Sequence, residues 1–458
     1  LDEVHSYDIY TGTLITALIR ELVNLRCSVI ILSATLTAAR RRELLAAGGF
    51  TEIESPTAYP LLTSGDTQGN CQHISTEWHS KREVKLQTNA TSEEETIDEL
   101  IQRAESGQHV LWIRNTVIEA QQAYRAISGN LREGTVRLGL LHSRFPFQRR
   151  AELEEDWLER LGKNRAEDCG SILVATQVVE QSVDIDLDFI VSDLAPTDML
   201  LQRVGRLWRH ERASRKTTAP VFWVRIPEFS SADEAVDLAR ALGRSAKVYA
   251  PYVLLRTAEV WRTRDTLVLP SDIRHLLEET YAEAHDESAP CQELHQALEK
   301  DKRELASFAE AATLVLGRPA LCDSEEVLTR RKGAPTTPVF LVKSIQTGSN
   351  RSVTVKSLNG DSVEIGELEW RRASAKFVHT WTVRAPKWMV PQTASSPAWL
   401  KLHGPTGCVL AELADNGTCL FNDEPSSMQY TPDLGIFTEK VQQTFSQPER
   451  NEDDEFDY

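Results

Sequence analysis

The sequence predicts an α/β protein wound on parallel sheets, followed by a helical stretch and a smaller β-rich domain. Three observations carry this. Between residues 91 and 228, short apolar runs alternate with amphipathic helical patterns, the order that winds a parallel sheet with helices on both faces. The same alternation occurs over residues 1–90 with fewer elements, so a first sheet of the same kind is expected there, incomplete. Beyond residue 331 the pattern changes to short strands broken by Gly and Pro turns.

Taken in order, Leu14, Leu18, Leu22 and Leu25 mark one face of a first helix. Val29-Ile30-Ile31-Leu32 is a continuous apolar run, as expected of a parallel strand buried on both faces. Ser64 to Asn70 is a loop by composition. In the next region, strands are expected at Val110–Ile113, Arg137–Leu141, Ser171–Ala175 and Phe189–Val191, with helices at Val117–Ser128 and Phe147–Leu161. Residues 229–330 read as a helical linker, with Ser and Asp caps and Pro270 as a breaker. Residues 331–447 read as the β-rich accessory domain, with Val339–Val342 a strand, and 448–458 as an acidic disordered tail.

The chain of 458 residues is long enough for several domains, and its 41% hydrophobic and 26% charged content is that of a soluble globular protein. No apolar run is long enough to span a bilayer. The seven cysteines are scattered, with no C-x-x-C pair, so reduced thiols in a cytoplasmic protein are expected and a zinc site is not. A net charge of −17 excludes a surface coated in basic residues, but a local basic groove remains compatible with it. The first residue is Leu1 rather than Met and adjoins a motif, so the chain is expected to continue upstream.

The chemistry begins at Asp2-Glu3-Val4-His5. Hydrolysis of a nucleoside triphosphate needs one carboxylate to hold Mg²⁺ and a second to orient and deprotonate the attacking water. Adjacent acids at a strand tip supply both: Asp2 for the Mg²⁺ and Glu3 as base, with His5 bridging to a second lobe. Alone, the four residues could equally be the acidic start of a helix. Ser33-Ala34-Thr35 follows the apolar run and looks like the coupling motif of DExH helicases, where Ser33 and Thr35 bond across a cleft; alone, it could be a helix cap. In Gln202-Arg203-Val204-Gly205-Arg206-Leu207-Trp208-Arg209, the pattern Q-x-x-G-R-x-x-R places Arg206 and Arg209 nearly on one helix face. Two guanidiniums converging on a γ-phosphate stabilise the charge of the transition state. Gln202 is placed to touch the nucleotide or His5, and Gly205 is a further candidate for the nucleotide. Between these, a strand end delivers Thr176 and Gln177 to a cleft, and Asp184 follows eight residues after Thr176. Asn115, Thr116, His142, Ser143 and Arg144 also lie at or just after strand ends, where a groove for phosphates would run. His285-Asp286 stands without other ligand candidates and reads as a surface pair.

Together these residues resemble the type I CRISPR-associated helicase–nucleases, a branch of the superfamily-two DExH helicases. Asp2 to Asp8 matches D-E-V-H-x-Y-D, and Val174 to Asp184 matches V-A-T-Q-V-V-E-Q-S-x-D. Ser192 to His210 matches S-D-x-A-P-x-D-x-L-x-Q-R-x-G-R-x-x-R-H. Asn115-Thr116, Leu141 to Phe145, Tyr59 to Thr63 and Leu434-Gly435 are similar to further phrases of the family. Ser182 stands where many superfamily-two helicases have Gly, a departure that points to this branch. The likeness is dense over residues 1–210 and thinner to about 440.

The resemblance implies two RecA-like lobes that bind ATP with Mg²⁺ in their cleft, through Asp2, Glu3, His5, Asp184, Gln202, Gly205, Arg206 and Arg209. It implies single-stranded DNA across their tops, 3′→5′ translocation, and a nuclease domain on the N-terminal side that carries a divalent transition metal. It also implies recruitment of a monomer, in the cytoplasm, by the Cascade surveillance complex with its crRNA at an R-loop. No G-x-x-x-x-G-K-[ST] loop occurs in the chain. That loop cradles the triphosphate, so little ATP hydrolysis is expected from this chain by itself. Two other readings stand beside this one: a DExH helicase acting on RNA or structured DNA, which keeps the same ATP motifs, and a non-catalytic module, made as a short product, that binds nucleic acid or Cascade.

Overall fold

The computed structural model describes residues 1–4, 9–52, 56, 58–65, 69–76, 81–88, 91–132, 134–165, 169–181, 183–212, 214–229, 234–282, 287–313, 335–348, 352–366 and 369–439. His5, Ser182, the His285-Asp286 pair and the acidic tail lie outside the described residues.

In chain order, α1 (Ile9–Asn24) and α2 (Ala38–Ala47) precede a hairpin, β1 (Leu61–Gly65) with β2 (Cys71–Ser75). Next come β3 (Arg82–Gln87), α3 (Glu93–Glu105), β4 (His109–Ile113), α4 (Val117–Asn130), β5 (Arg137–Leu141), α5 (Phe147–Leu161) and β6 (Ser171–Ala175). They are followed by α6 (Val178–Gln181), β7 (Phe189–Asp193), α7 (Thr197–Val204) and β8 (Val221–Arg225). The helical stretch holds α8 (Ala235–Ala241), α9 (Pro251–Arg262), β9 (Thr266–Leu269), α10 (Ser271–Tyr281) and α11 (Ala289–Thr313). The C-terminal part holds β10 (Thr336–Val342), β11 (Ser344–Thr347), β12 (Ser352–Lys356), β13 (Ser362–Gly366), α12 (Arg372–Thr380), β14 (Thr382–Pro386) and α13 (Ala398–His403). It ends with β15 (Val409–Leu413), β16 (Thr418–Phe421), β17 (Glu424–Thr431) and β18 (Gly435–Thr438).

The chain divides into two compact units: Leu1–Thr96 with Leu187–Gly333, and Ile97–Asp186 with Ala334–Tyr458. The lobe expected at residues 91–228 therefore contributes to both. In the first unit, β7, β8, β3 and β9 lie side by side in that order. The β7–β8 and β8–β3 pairs are parallel and β3–β9 is antiparallel. Strand β3 belongs to this sheet although the sequence reading set it in the preceding region. Strand β9 interrupts a stretch expected to be wholly helical, because Thr266–Leu269 completes the free edge of β3.

Two apolar expectations change in the first unit. Helix α1 buries Ile15 and Ile19, four apart, against Leu44 and Ala47 of α2 and against Val4. The leucine stripe does not form the buried face: Leu18 is 45% and Leu25 73% exposed. The run Val29–Leu32 is not buried on both faces. It pairs with residues 1–4 through Leu1 N to Ile30 O (2.8 Å) and Leu32 N to Leu1 O (2.9 Å). Val29 and Ile31 pack on the α1–α2 cluster, while Ile30 (72%) and Leu32 (55%) face outward. Helices cover one face of this pair, so the other stays exposed.

In the second unit, β5, β6 and β4 are neighbours in that order and parallel. Every residue of β4 and β6 is buried, as a parallel strand covered on both faces requires. Gly139 in β5 makes room for the Trp157 ring of α5; a Cβ there would lie 2.1 Å from the ring. The accessory domain is β-rich as expected. It comprises a six-stranded sheet, β14-β10-β15-β16-β17-β18, and a three-stranded sheet, β11-β12-β13, with α12 and α13 packed beside them. Two apolar cores lie in it, one around Val339, Leu341, Phe421 and Ile436, the other around Phe340, Val355, Trp381 and Trp399. Trp381 is thus a core residue, while Trp388 is 43% exposed.

Among the described residues, no helix is long and apolar enough to cross a membrane. The described cysteines are free thiols, and no cluster of three metal-ligating side chains occurs among the described residues.

Candidate functional site

The first unit holds the motifs expected to handle the nucleotide. Asp2 and Glu3 are exposed, and Asp2 Oδ1 accepts the Glu3 N–H at 2.9 Å. Residues 1–4 run parallel to 30–32, so the acidic pair and Ser33-Ala34-Thr35 leave the same end of two paired segments. This brings together two motifs some thirty residues apart. Thr35 is 6% exposed, and its hydroxyl finds no hydrogen-bond partner among the described residues. A buried hydroxyl left this way is costly unless something else binds it.

The Ser33–Thr35 loop is held from outside. Tyr59 Oη donates to Ala34 O at 2.9 Å. Arg274 Nη1 donates to Leu36 O, and Ala38 N–H donates to Glu278 Oε1 at 2.7 Å, both acceptor and donor sets coming from α10. The far end of the same helix meets α7. Thr280 Oγ1 lies 2.7 Å from Thr197 Oγ1, and Tyr281 Oη donates to Asp198 Oδ1 at 2.5 Å. Tyr281 is 42% exposed, and desolvation of its hydroxyl end together with the Asp198 carboxylate that accepts from it raises the phenol above its ordinary value.

The arginine motif lies differently from the helical expectation. Helix α7 ends at Val204, Gly205 caps it, and Leu207 forms a parallel bridge with Leu187. Trp208 takes a left-handed backbone conformation, φ 48°. Arg206 and Arg209 therefore sit on a turn and not on one helix face: Arg206 is buried, 8% exposed, and Arg209 is exposed. The i,i+3 helical rule fails here because the chain tightens after Val204, with Arg206 N–H on Arg203 O and Leu207 N–H on Val204 O, and turns left-handed at Trp208 between the two arginines. Arg82 of β3 secures the turn, its Nη1 donating to Leu207 O (2.6 Å) and Trp208 O (2.9 Å). Arg215 adds a bond to His210 O (2.6 Å), an ion pair with Asp188 (2.9 Å) and a stack on Trp208 (4.8 Å). Arg203, fully buried, donates to Ser192 Oγ, Asp193 O and Tyr249 Oη at 2.7, 3.1 and 3.2 Å. Gln202 is half-buried, with Nε2 lacking a partner among the described residues. Arg82, Arg203 and Arg215 went unnoticed in the sequence. Only the Q-R dipeptide at 202–203 hinted at one of them.

The second unit holds the expected nucleic-acid contacts. Ile113 and Leu141 both register with Ala175, so the ends of β4, β5 and β6 are level. Asn115, Thr116, His142, Ser143, Arg144, Thr176 and Gln177 follow those ends along one sheet edge. Thr176 N–H donates to Leu141 O (3.1 Å) and Gln177 Nε2 to Asn115 O (2.9 Å). The carboxyl edge of a parallel sheet is where such folds bind ligands. Asn115 and Thr176 are buried at 3%. Thr116 is engaged as the cap of α4, its Oγ1 accepting the Glu119 N–H at 3.3 Å and donating to Glu119 Oε2 at 2.6 Å. His142 is fully buried, with its Nε2 3.2 Å from Leu434 O. Burial, then the neighbouring Arg144 charge, lowers its pKa to about 3. A neutral, enclosed ring offers a phosphate no cation, so the donors left at the edge are the exposed Ser143 and the half-buried Arg144 and Gln177, the last with one amide hydrogen already on Asn115 O. Desolvation lowers the Arg144 guanidinium to about 10, which leaves it charged at neutral pH. Asp184 is exposed in this unit.

Residues 106–212 match a family model described as CRISPR-associated nuclease/helicase Cas3, C-terminal. The chain is 35% identical to the CRISPR-associated endonuclease/helicase Cas3 of Thermus thermophilus, over 63% of this chain and 35% of that protein. It is similar to the crystal structure of T. fusca Cas3-ATP, with a TM-score of 0.74 and 25% identity over 95% of this chain and 54% of that one. A chain of a CRISPR RNA-guided surveillance complex, pre-nicking, shares its fold, with a TM-score of 0.68 and 23% identity over 95% of this chain and 56% of that one. The chain spans about a third of the length of the curated relatives it matches.

Proposed function

We propose that this chain, similar to the CRISPR-associated nuclease/helicases, forms part of an ATP-dependent 3′→5′ translocase on single-stranded DNA that degrades foreign DNA in antiviral defence. The observation that carries this reading is the level edge of β4, β5 and β6, where Ser143, Arg144 and Gln177 stand together. Hydroxyl, guanidinium and amide donors spaced along one edge suit a phosphate backbone, and they need no contact with base edges.

Asp2 and Glu3, exposed beside the Ser33–Thr35 loop, suit the acidic half of a nucleotide site. Asp2 would hold Mg²⁺ with ATP, which supplies charge neutralisation at the phosphates. Glu3 would orient water, and Gln202 and Gly205 would line the nucleotide. Arg206 and Arg209, on a turn fixed by Arg82 and Arg215, would place cationic charge where the transferring phosphoryl group develops its own. Nuclease activity, with its transition metal, belongs to a further domain of the longer protein. Recruitment as a monomer by the crRNA-bearing Cascade complex at an R-loop, in the cytoplasm, completes the proposal.

The test uses the longer protein with its G-x-x-x-x-G-K-[ST] loop. Single-stranded DNA should stimulate its ATP hydrolysis, and Arg206→Ala should lower kcat by roughly a thousandfold while DNA binding persists. Strand displacement should need a 3′ overhang. Stimulation by RNA alone would select the RNA-directed reading instead. Hydrolysis unchanged by Arg206→Ala would remove the arginine role.

A further inference from the structure

We propose that the segment Pro432–Ile436 of the C-terminal domain, a turn running into β18, is a positioning element for the strand-end loop 142–145, fixing Ser143 and Arg144 in the conformation that meets DNA. This rests on the DNA-facing reading of that edge. Both segments belong to the second unit.

Several bonds converge on this five-residue segment. Gln121, 5% exposed in α4, donates from Nε2 to Leu434 O (2.7 Å) and Ile436 O (2.9 Å). The Arg144 N–H donates to His142 Nδ1 at 3.1 Å, so that nitrogen is bare and the proton sits on Nε2. Nε2 then donates to Leu434 O at 3.2 Å. Ile436 N–H donates to Arg144 O at 2.9 Å, and Arg149 Nε donates to Pro432 O at 3.1 Å. Arg144 is thus gripped by its backbone on both sides: its N–H through His142, its C=O by Ile436. The His142 ring also stacks on Phe145, with centroids 4.5 Å apart.

Gly435 shows that the approach is built into the sequence. Its φ is +66°, and a Cβ there would lie 2.3 Å from Arg144 O and 3.0 Å from the His142 ring. Any side chain would push the two backbones apart. A loop that follows a strand has no ladder of its own to hold it. Here the accessory domain supplies the missing bonds, so the loop is ordered before DNA arrives and loses less freedom on binding.

The experiment measures binding of fluorescent oligo(dT) to this chain by anisotropy, at fixed low salt. The variants are Gly435→Ala, Gln121→Leu, Arg144→Ala and the Gly435→Ala/Arg144→Ala double. Amide exchange at Arg144 reports the loop directly. Gly435→Ala and Gln121→Leu should each weaken binding by about tenfold and speed exchange at Arg144, and the double variant should bind more weakly than Arg144→Ala by clearly less than tenfold, because the two changes act in part through the same contact. If Gly435→Ala and Gln121→Leu bind as the parent while Arg144→Ala is weaker, the positioning role is overturned and the DNA reading stands. Losses that multiply in the double variant would also overturn it. If Arg144→Ala binds as the parent, the DNA-facing reading falls and the positioning role falls with it.

Discussion

Lowering the pH should loosen the latch between the loop at His142 and the turn at Leu434. His142 is fully enclosed, and its folded-state pKa is about 3, against an ordinary value near 6.5 once the loop opens. Between these values the open form binds a proton that the closed form refuses, so closure loses stability as pH falls. The contribution is fully present above about 6.5 and declines through the window towards 3. From pH 7 to pH 5 the loss works out at about 2 kcal/mol, roughly a 25-fold larger opening constant. The amide of Ile436, which donates to Arg144 O across the latch, reads this opening by hydrogen exchange after correction for intrinsic rate. His142→Asn removes the titrating group and should flatten the pH dependence while leaving other residues' contributions in place. An Ile436 exchange rate that stays flat from pH 7 to 5 would refute the reasoning. So would an unchanged slope in His142→Asn.

Two further substitutions separate structural from ligand-facing roles. Thr116→Ala removes the α4 cap and should cost about 1 kcal/mol of stability in denaturant melts, with single-stranded DNA affinity nearly unchanged. An affinity loss without a stability loss would return Thr116 to the DNA-contacting set. Arg203→Lys cannot reproduce a fork that serves Ser192, Asp193 and Tyr249 together, and should cost about 2 kcal/mol, read as a lower melting temperature of the first unit.

The elements most legible in the sequence were those with local signals. Strands β5 and β6 and helix α5 fall at the residues the sequence indicates, because Pro146 and Gly162 bound α5, Ile172–Ala175 is a short apolar run, and Leu138, Leu140 and Leu141 supply the apolar part of β5. The failures have a common cause. Helix α1 carries two apolar stripes, and periodicity alone does not say that Ile15 and Ile19, rather than the leucines, meet α2. Arg206 and Arg209 looked helical because the spacing is helical, but α7 ends at Val204, between the glutamine and the arginines. Motif residues could be found because their spacing is local. Their supports could not: Arg82 bonds Leu207 across 125 residues, and Gln121 bonds Leu434 across 313. A lone polar residue inside a helix gives no hint of a partner so distant.

The region that sequence alone labels a linker is tied to both motif-bearing segments of the first unit. Helix α10 bonds the loop after Thr35 through Arg274 and Glu278, and bonds the first turn of α7 through Thr280 and Tyr281. Arg274 is 8% exposed, and burial is the main cause lowering its pKa, with the nearby Arg41 charge adding to it. A guanidinium kept charged under those conditions is held by its acceptors, Leu36 O and the Glu278 carboxylate at 3.5 Å. Arg274→Met keeps most of the stem's packing and removes the donor. Leu36 O then lacks this bond, and Glu278 loses the cation that steadies it against the Ala38 N–H. Exchange at the Ala38 amide should accelerate by about tenfold, since one buried charge-assisted bond is worth roughly 1.5–3 kcal/mol and only part of it acts at Ala38. The α7 end should be untouched, leaving Tyr281 bonded to Asp198 and its phenol titrating well above the ordinary range. Unchanged exchange at Ala38 would mean that Glu278 holds the loop without Arg274. A Tyr281 phenol returned to its ordinary range would mean that the helix responds as one rigid body, not as two separately anchored ends.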